Sequence, residues 1–341
     1  MQRQPKIRTL TRTSLYLLPL LFFTIASAST TSATPLSPHN EMTSSVTHVW
    51  VEPQSGYTFF DAAVTGAQHS IDLSIYELND ADIEQRLIAR ARDGVDVHVI
   101  LNAAYEGKSE NGSAASLLRR GSVHVTWAPS GQIFHAKYLV VDDKNAYIGT
   151  GNLVTSDYLT TRDFWVEDKN IRDVDAITAT FNGDLTNAGG SAAGTAGLVW
   201  SPGSTDALVS LIGSAQHSLL VENEEMDSPP IEIALAAAAK RGVDTKVVMS
   251  ADASWTAALN QLARAGVHIS LHHGAQLYIH AKVICADCTK TTGQVFIGSE
   301  NFSTSSLVYN RELGLITSTR SAITKIKQAV DIDFASGTQL P

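Results

Sequence analysis

The sequence predicts an α/β protein built as a tandem duplication, each half a mixed, largely parallel sheet flanked by helices. Three observations predict it. Ala67-Gln68-His69-Ser70 returns 148 residues later as Ala215-Gln216-His217-Ser218, Gly94 returns as Gly242 at the same offset, and Asn152 returns as Asn301 149 residues on. Within each half, strand-like and helix-like stretches alternate, the pattern of βαβ units with a parallel strand pair. Each half then closes on two strand-like stretches joined by turn residues, followed by a helix-like segment.

The elements follow in order. Ala67 to Tyr76 alternates as a strand, Asp80 to Asp93 reads as a helix on Ile83, Leu87 and Ile88, and Gly94 stops it before the buried strand Val95 to Leu101. In the second half Ala215 to Val221 repeats the strand. Ser228-Pro229-Pro230 opens the helix, Gly242 closes it, and Val243 to Met249 is the next strand. Ser113 to Arg120 leads to Val123-His124-Val125, as Ser254 to Ala265 leads to Val267-His268-Ile269. Strands Ala136 to Val141 and Ala281 to Ala286 each return through a hairpin, tight at Asp142-Asp143-Lys144-Asn145 and longer from Cys288 to Gly293. Helix-like stretches around Val174 to Phe181 and Ala322 to Phe334 end the halves. The expected organisation is a signal peptide (1–28), a flexible leader (29–46), a first half (47–185), a linker (186–197) and a second half (198–341).

The signal peptide is read from Arg3, Lys6, Arg8 and Arg12, the apolar run Leu15 to Ile25, and Ala26-Ser27-Ala28 as cleavage site. Export, to the periplasm or outside the cell, is the expectation. At 341 residues, 44% hydrophobic and 17% charged, the chain has ordinary globular composition and length for two domain-sized halves. Losing the four cations of the signal takes the formal net charge from −9 to −13. Such a chain has no general attraction for polyanions. The only two cysteines, Cys285 and Cys288, flank Asp287 at a strand end, and a local disulfide is expected after export.

The chemistry concentrates in a duplicated motif. The first copy sets out His135, Lys137 and Asp142, then Gly149-Thr150-Gly151-Asn152. The second sets out His280, Lys282 and Asp287, then Gly298-Ser299-Glu300-Asn301. An imidazole beside an ammonium suits a phosphate: one attacks or donates a proton, the other neutralises charge. Alternation along a strand would put His and Lys on one face. This pattern resembles the paired HKD motifs of the phospholipase D superfamily, over essentially the whole chain from Thr47. Its departures are slight: Gly-Thr-Gly-Asn in the first turn, and the longer second hairpin.

The resemblance implies two phospholipase D-like halves meeting about a pseudo-twofold axis, and ping-pong phosphodiester chemistry through a phosphohistidine. It makes His135 the nucleophile and His280 the general acid, roles that the duplication leaves nearly interchangeable. Lys137, Lys282, Asn152 and Asn301 are expected to bind phosphate oxygens, with Thr150 and Ser299 as further contacts. Eleven residues after each motif asparagine stand Asp163 and Glu312, each preceded by an arginine. By resemblance, such a carboxylate fixes the tautomer of the catalytic histidine, and Asp163 is assigned to His135, Glu312 to His280. Asp142 and Asp287 belong to the motif, with turn capping as their alternative role.

No cofactor and no metal are expected. His268, His272, His273 and His280 share no ligand spacing that recurs. His69 and His217 are expected to be structural, and Glu77 and Glu225 to line the cleft mouth or to be solvated. The expected activity is an exported phospholipase D-type phosphodiesterase acting on phospholipid at a membrane surface or in micelles. Its alternatives are a nuclease with nucleic acid as substrate, a cardiolipin-synthase-like phosphatidyltransferase, and a non-catalytic lipid- or envelope-binding protein. With both motifs in one chain, a monomer is expected.

Overall fold

The computed structural model describes residues 46–186, 192–274 and 277–341. The expected signal peptide, the leader up to residue 45, and residues 187–191 of the expected linker lie outside the described residues. The described residues all belong to one compact unit.

Two sheets repeat one strand order. The first runs Val46–Glu52, Thr161–Asp168, Asn145–Gly149, Tyr138–Val141, Ser70–Ile75, Asp96–Leu101, His124–Trp127. The second runs Leu198–Ser201, Glu312–Thr317, Gln294–Gly298, Lys282–Ala286, Ser218–Asn223, Asp244–Ser250, His268–His272, with Thr338–Gln339 on its edge. The sheets are mixed, as expected. Within each half, parallel pairing along the order given is confined to its last three strands, where helices make the crossovers. The remaining pairs along these orders are antiparallel.

The predicted helix signals have visible causes. Asp80 accepts the backbone N–H groups of Asp82 and Ile83 at 2.9 and 3.1 Å, capping Ala81–Arg92. Gly94 and Gly242 adopt φ of +92° and +88°, the left-handed ending that favours glycine. Ser228 sits at the start of Pro229–Lys240 but makes no side-chain cap.

The motif strands are buried on both faces, and their alternation divides the interior into three cores. Leu139 and Val141 face a first-half core with Leu73 and Leu87, while Ile284 and Ala286 face a second-half core with Leu219 and Leu235. Tyr138, Val140, Val283 and Cys285 point into a core shared by the halves. Helices Ile171–Leu185 and Arg320–Ser336 contribute Phe181 and Ile326 to it. Two buried ion pairs pin this junction. Arg162 grips Asp333 through Nε and Nη2, at 2.5 and 2.9 Å, and Arg311 Nη2 lies 2.6 Å from Asp184. Each arginine thus binds the closing helix of the other half. Removing one partner would strand a buried charge, at a cost of about 3–5 kcal/mol.

Cys285 and Cys288 form a disulfide with Cα atoms 5.7 Å apart, bracketing Asp287.

Candidate active site

The His-x-Lys segments lie at the mouths of their strands: the first ends just before the strand that begins at Tyr138, and the second reaches its strand at Lys282. Each is threaded against the other half. His135 and Ala136 both donate their N–H groups to the Arg311 carbonyl, at 2.8 and 2.9 Å. Tyr278–Ile279 pairs parallel with the start of Thr161–Asp168, and the His280 N–H donates to the Arg162 carbonyl at 3.2 Å.

This threading corrects the expected carboxylate assignment. His135 Nδ1 lies 2.9 Å from Glu312 Oε2, and His280 Nδ1 lies 2.9 Å from Asp163 Oδ1. The dyads are crossed: each histidine is oriented by the half that does not carry it. The cause is backbone pairing, because each motif segment runs beside the other half's carboxylate strand.

The supporting shells differ. Asp163 accepts from Thr150 Oγ1 at 2.5 Å, and Thr150 Oγ1 itself accepts the Phe164 N–H. Glu312 accepts from Ser306 Oγ at 2.7 Å and from Asn310 Nδ2 at 3.2 Å. Burial would raise the Glu312 pKa, but His135, Lys137 and Ser299 outweigh it and hold the carboxyl below the usual range. An ionised carboxylate only accepts hydrogen bonds, so His135 donates from Nδ1 and keeps its Nε2 lone pair free. Burial pushes the His135 pKa down to about 4, with Lys137 adding to that and Glu312 opposing it.

Lys137 and Lys282 are fully buried, and each donates from Nζ to the carbonyl of its own motif histidine. Burial, with the charge of Lys282, brings the Lys137 pKa down to about 7. Tyr76 packs edge-on to His135 at 4.8 Å between ring centroids, and Lys137 Nζ lies 5.1 Å from the centre of the same ring.

Glu224, one residue before the glutamate singled out in the sequence, is a site residue that the sequence reading missed. Its Oε2 lies 3.0 Å from Lys282 Nζ and 3.5 Å from His280 Nε2, and its Oε1 accepts from the Tyr278 hydroxyl at 2.8 Å. Burial would raise its pKa, but His280 and Lys282 hold the carboxyl far below the usual range. Its repeat equivalent is Tyr76, so the symmetric reading had no partner for it. The available signal was the break in the repeat, Tyr76-Glu77 against Glu224-Glu225.

Other expected site residues have structural work. Asp142 and Asp287 adopt left-handed φ of 55° and 50° and fold back across neighbouring strand starts. Asp142 accepts the N–H groups of Gln68, His69 and Ser70, and Asp287 those of Gln216, His217 and Ser218. These two aspartates cap turns, which explains the repeated Ala-Gln-His-Ser phrase and removes them from the catalytic set. Thr150 and Ser299 are fully buried. Ser299 Oγ accepts the Leu313 N–H at 3.1 Å, so this pair braces the carboxylate strands instead of contacting substrate. Asn301 Nδ2 donates to Glu225 Oε1 at 3.0 Å, which places Glu225 in the site. Asn152 lines a cavity of about 380 Å³ with Tyr57, Asp157, Asp163, Tyr278 and His280.

The arrangement can hold a phosphoryl group between two buried ammonium groups and two oppositely set imidazoles. Comparison with known proteins agrees with that geometry. The family model described as "Cardiolipin synthase, PLD-like domain" matches twice, over residues 61–185 and 208–334. No curated protein matches the sequence. Among solved structures, phosphatidylserine synthase of Haemophilus influenzae Rd KW20 superposes with a TM-score of 0.66. It covers 86% of this chain and 87% of its own, at 11% identity. Polyphosphate kinase of Porphyromonas gingivalis superposes with a TM-score of 0.65 over 84% of this chain, at 17% identity. The chain spans half the length of that kinase, with 50% of it covered. At such identities the likeness is one of fold.

Proposed function

The chain belongs to the PLD-like domain family, whose domain it carries twice, and from that premise we propose that it is a phosphodiesterase of phospholipase D type acting on glycerophospholipids. The observation that carries the proposal is the pair of crossed dyads with unlike histidines. His135, uncharged above about pH 4, attacks phosphorus through Nε2 while its Nδ1–H stays on Glu312. The phosphorus–oxygen bond to the head group breaks, and the leaving oxygen takes a proton from Nε2 of His280. That imidazole is held at Nδ1 by Asp163, 2.9 Å away, and its Nε2 lies 3.5 Å from Glu224. Water or an alcohol then enters on the same path, His280 Nε2 takes its proton, and the phosphorus–nitrogen bond breaks. Lys137 and Lys282 stabilise charge on the non-bridging oxygens.

Lipid is favoured over nucleic acid by where the arginines go. Holding a strand needs several free cations. Arg162 and Arg311 are instead buried on Asp333 and Asp184, and Arg119 donates to the Val125 carbonyl. Asp157, beside His280 in the cavity, adds negative charge where a strand would pass. We further propose export through residues 1–28. The test is release of head group from phosphatidylcholine and phosphatidylglycerol micelles beside cleavage of single-stranded DNA, both at low salt. Head-group release is expected to dominate, and DNA cleavage without lipid turnover would refute the reading.

A further inference from the structure

We propose that Asp96, His98 and His124 form a binding site for a divalent transition-metal ion of the zinc class, remote from the phosphodiesterase centre. His98 and His124 are direct partners in the parallel pairing of Asp96–Leu101 with His124–Trp127. Asp96 lies two residues before His98, so strand alternation puts its side chain on the same face.

The three side chains already converge. His98 Nε2 lies 3.0 Å and His124 Nε2 lies 4.0 Å from the same oxygen, Asp96 Oδ1. All three donor atoms fall within 4.8 Å of one another. The two rings stack at 4.8 Å between centroids with planes 19° apart, which aims both imidazole edges at the carboxylate. Zinc takes nitrogen and oxygen donors at about 2.0–2.2 Å in a tetrahedron, so its ligand atoms stand roughly 3.3 Å apart. Small side-chain rotations supply that spacing, and solvent on this exposed face supplies the fourth ligand. Asp72 partners His98 from the other neighbouring strand and adds a buried carboxylate to the same row.

The second half provides an internal control. Its corresponding residues are Asp244, Lys246 and His268, with Lys246 paired to His268 as His98 is to His124. There the Lys246 ammonium sits 2.9 Å from Asp244, and Leu220 stands where the first half has Asp72. One half carries its cation covalently. The other offers two imidazoles beside its aspartate, with a second carboxylate in the same row, which is the donor set of a site that recruits one.

The site is separated from the chemistry by the length of a strand. Asn102, just past the far end of Asp96–Leu101, accepts the Phe134 N–H at 3.0 Å beside the first motif. Four residues of extended chain put His98 about 13 Å from that point.

The experiment titrates the whole protein, first stripped with chelator, with zinc and with cobalt, by calorimetry and by the visible absorption of tetrahedral cobalt. Wild type is expected to bind one equivalent at this site. His98→Lys, which copies the second half, and His124→Gln are each expected to weaken that binding by at least about a hundredfold while leaving phosphodiester turnover unchanged. Absence of binding by wild type, or undiminished binding in both variants, would overturn the proposal. Far-UV circular dichroism of each variant separates ligand loss from misfolding.

Discussion

Tyr76 and Glu224 occupy equivalent places, 148 residues apart, after the first parallel strand of each half. At the His135 corner the position holds an aromatic ring, packed on the histidine and on Lys137. At the His280 corner it holds a carboxylate, in contact with the histidine and Lys282. The same motif therefore gives a histidine whose pKa is pushed down to about 4 on one side and an anion-flanked histidine on the other. A duplicated sequence becomes two unlike corners through a neighbour that the repeat does not keep in type.

The strongest way to break that comparison is to remove each histidine in turn. With a phospholipid, His135→Ala and His280→Ala should each lower turnover by about 10³-fold or more. In the first-turnover burst of nitrophenolate from a nitrophenyl phosphodiester, whose leaving group needs no proton, His280→Ala should regain most of its loss and His135→Ala none. Equal rescue of both variants would show the two roles to be shared.

Next in size is the crossed orientation of His280. A Cβ at Gly151 would lie 2.6 Å from the Asp163 carboxylate, so Gly151→Ala must displace it. A displaced orienting group costs about 10²-fold in kcat. Because Asp163 serves His280, the loss should again shrink in the first-turnover burst with the nitrophenyl leaving group. If it instead matched the pattern of His135→Ala, the crossed pairing would be wrong.

The pH profile sharpens the contrast further. His135 must be neutral and Lys137 charged, so kcat/KM should rise through about pH 4 and fall through about pH 7. The Glu312 charge raises both values. Glu312→Gln should therefore move both limbs toward acid, a shift that a purely structural glutamate would not produce.

The smallest expected effect concerns Glu224, which holds the place beside Lys282 that a phosphoryl oxygen must take. Glu224→Gln removes the competing charge and should tighten inhibition by inorganic phosphate about tenfold, roughly 1.4 kcal/mol. Direct binding measurements check it, with Tyr76→Phe as the matched substitution expected to do little.

Much of this was legible in the sequence because it depends on local chemistry. Gly94 and Gly242 end helices for a reason confined to one φ angle. The helix that opens after Asp80 and the buried strand that follows Gly94 also come from short-range pattern. The repeat also brought Asp163 and Glu312 forward. Their crossing was not legible, because an offset of 149 residues says which residues are equivalent and nothing about which half each faces. The same limit hid the buried pairs of Arg162 and Arg311, whose partners are 171 and 127 residues away. Thr150 and Ser299 were misplaced on the substrate because a hydroxyl in a turn looks alike whether it points to solvent or to a neighbouring carboxylate.

The crossed dyads have a consequence for how the enzyme fails. If each histidine were tuned within its own half, loosening the junction would leave two intact, separately reactive imidazoles. Here any opening between the halves takes the partner from both histidines in one event. The molecule has no half-armed form: a strained, damaged or incompletely assembled copy is silent, and reactivity itself reports that the two halves are correctly seated.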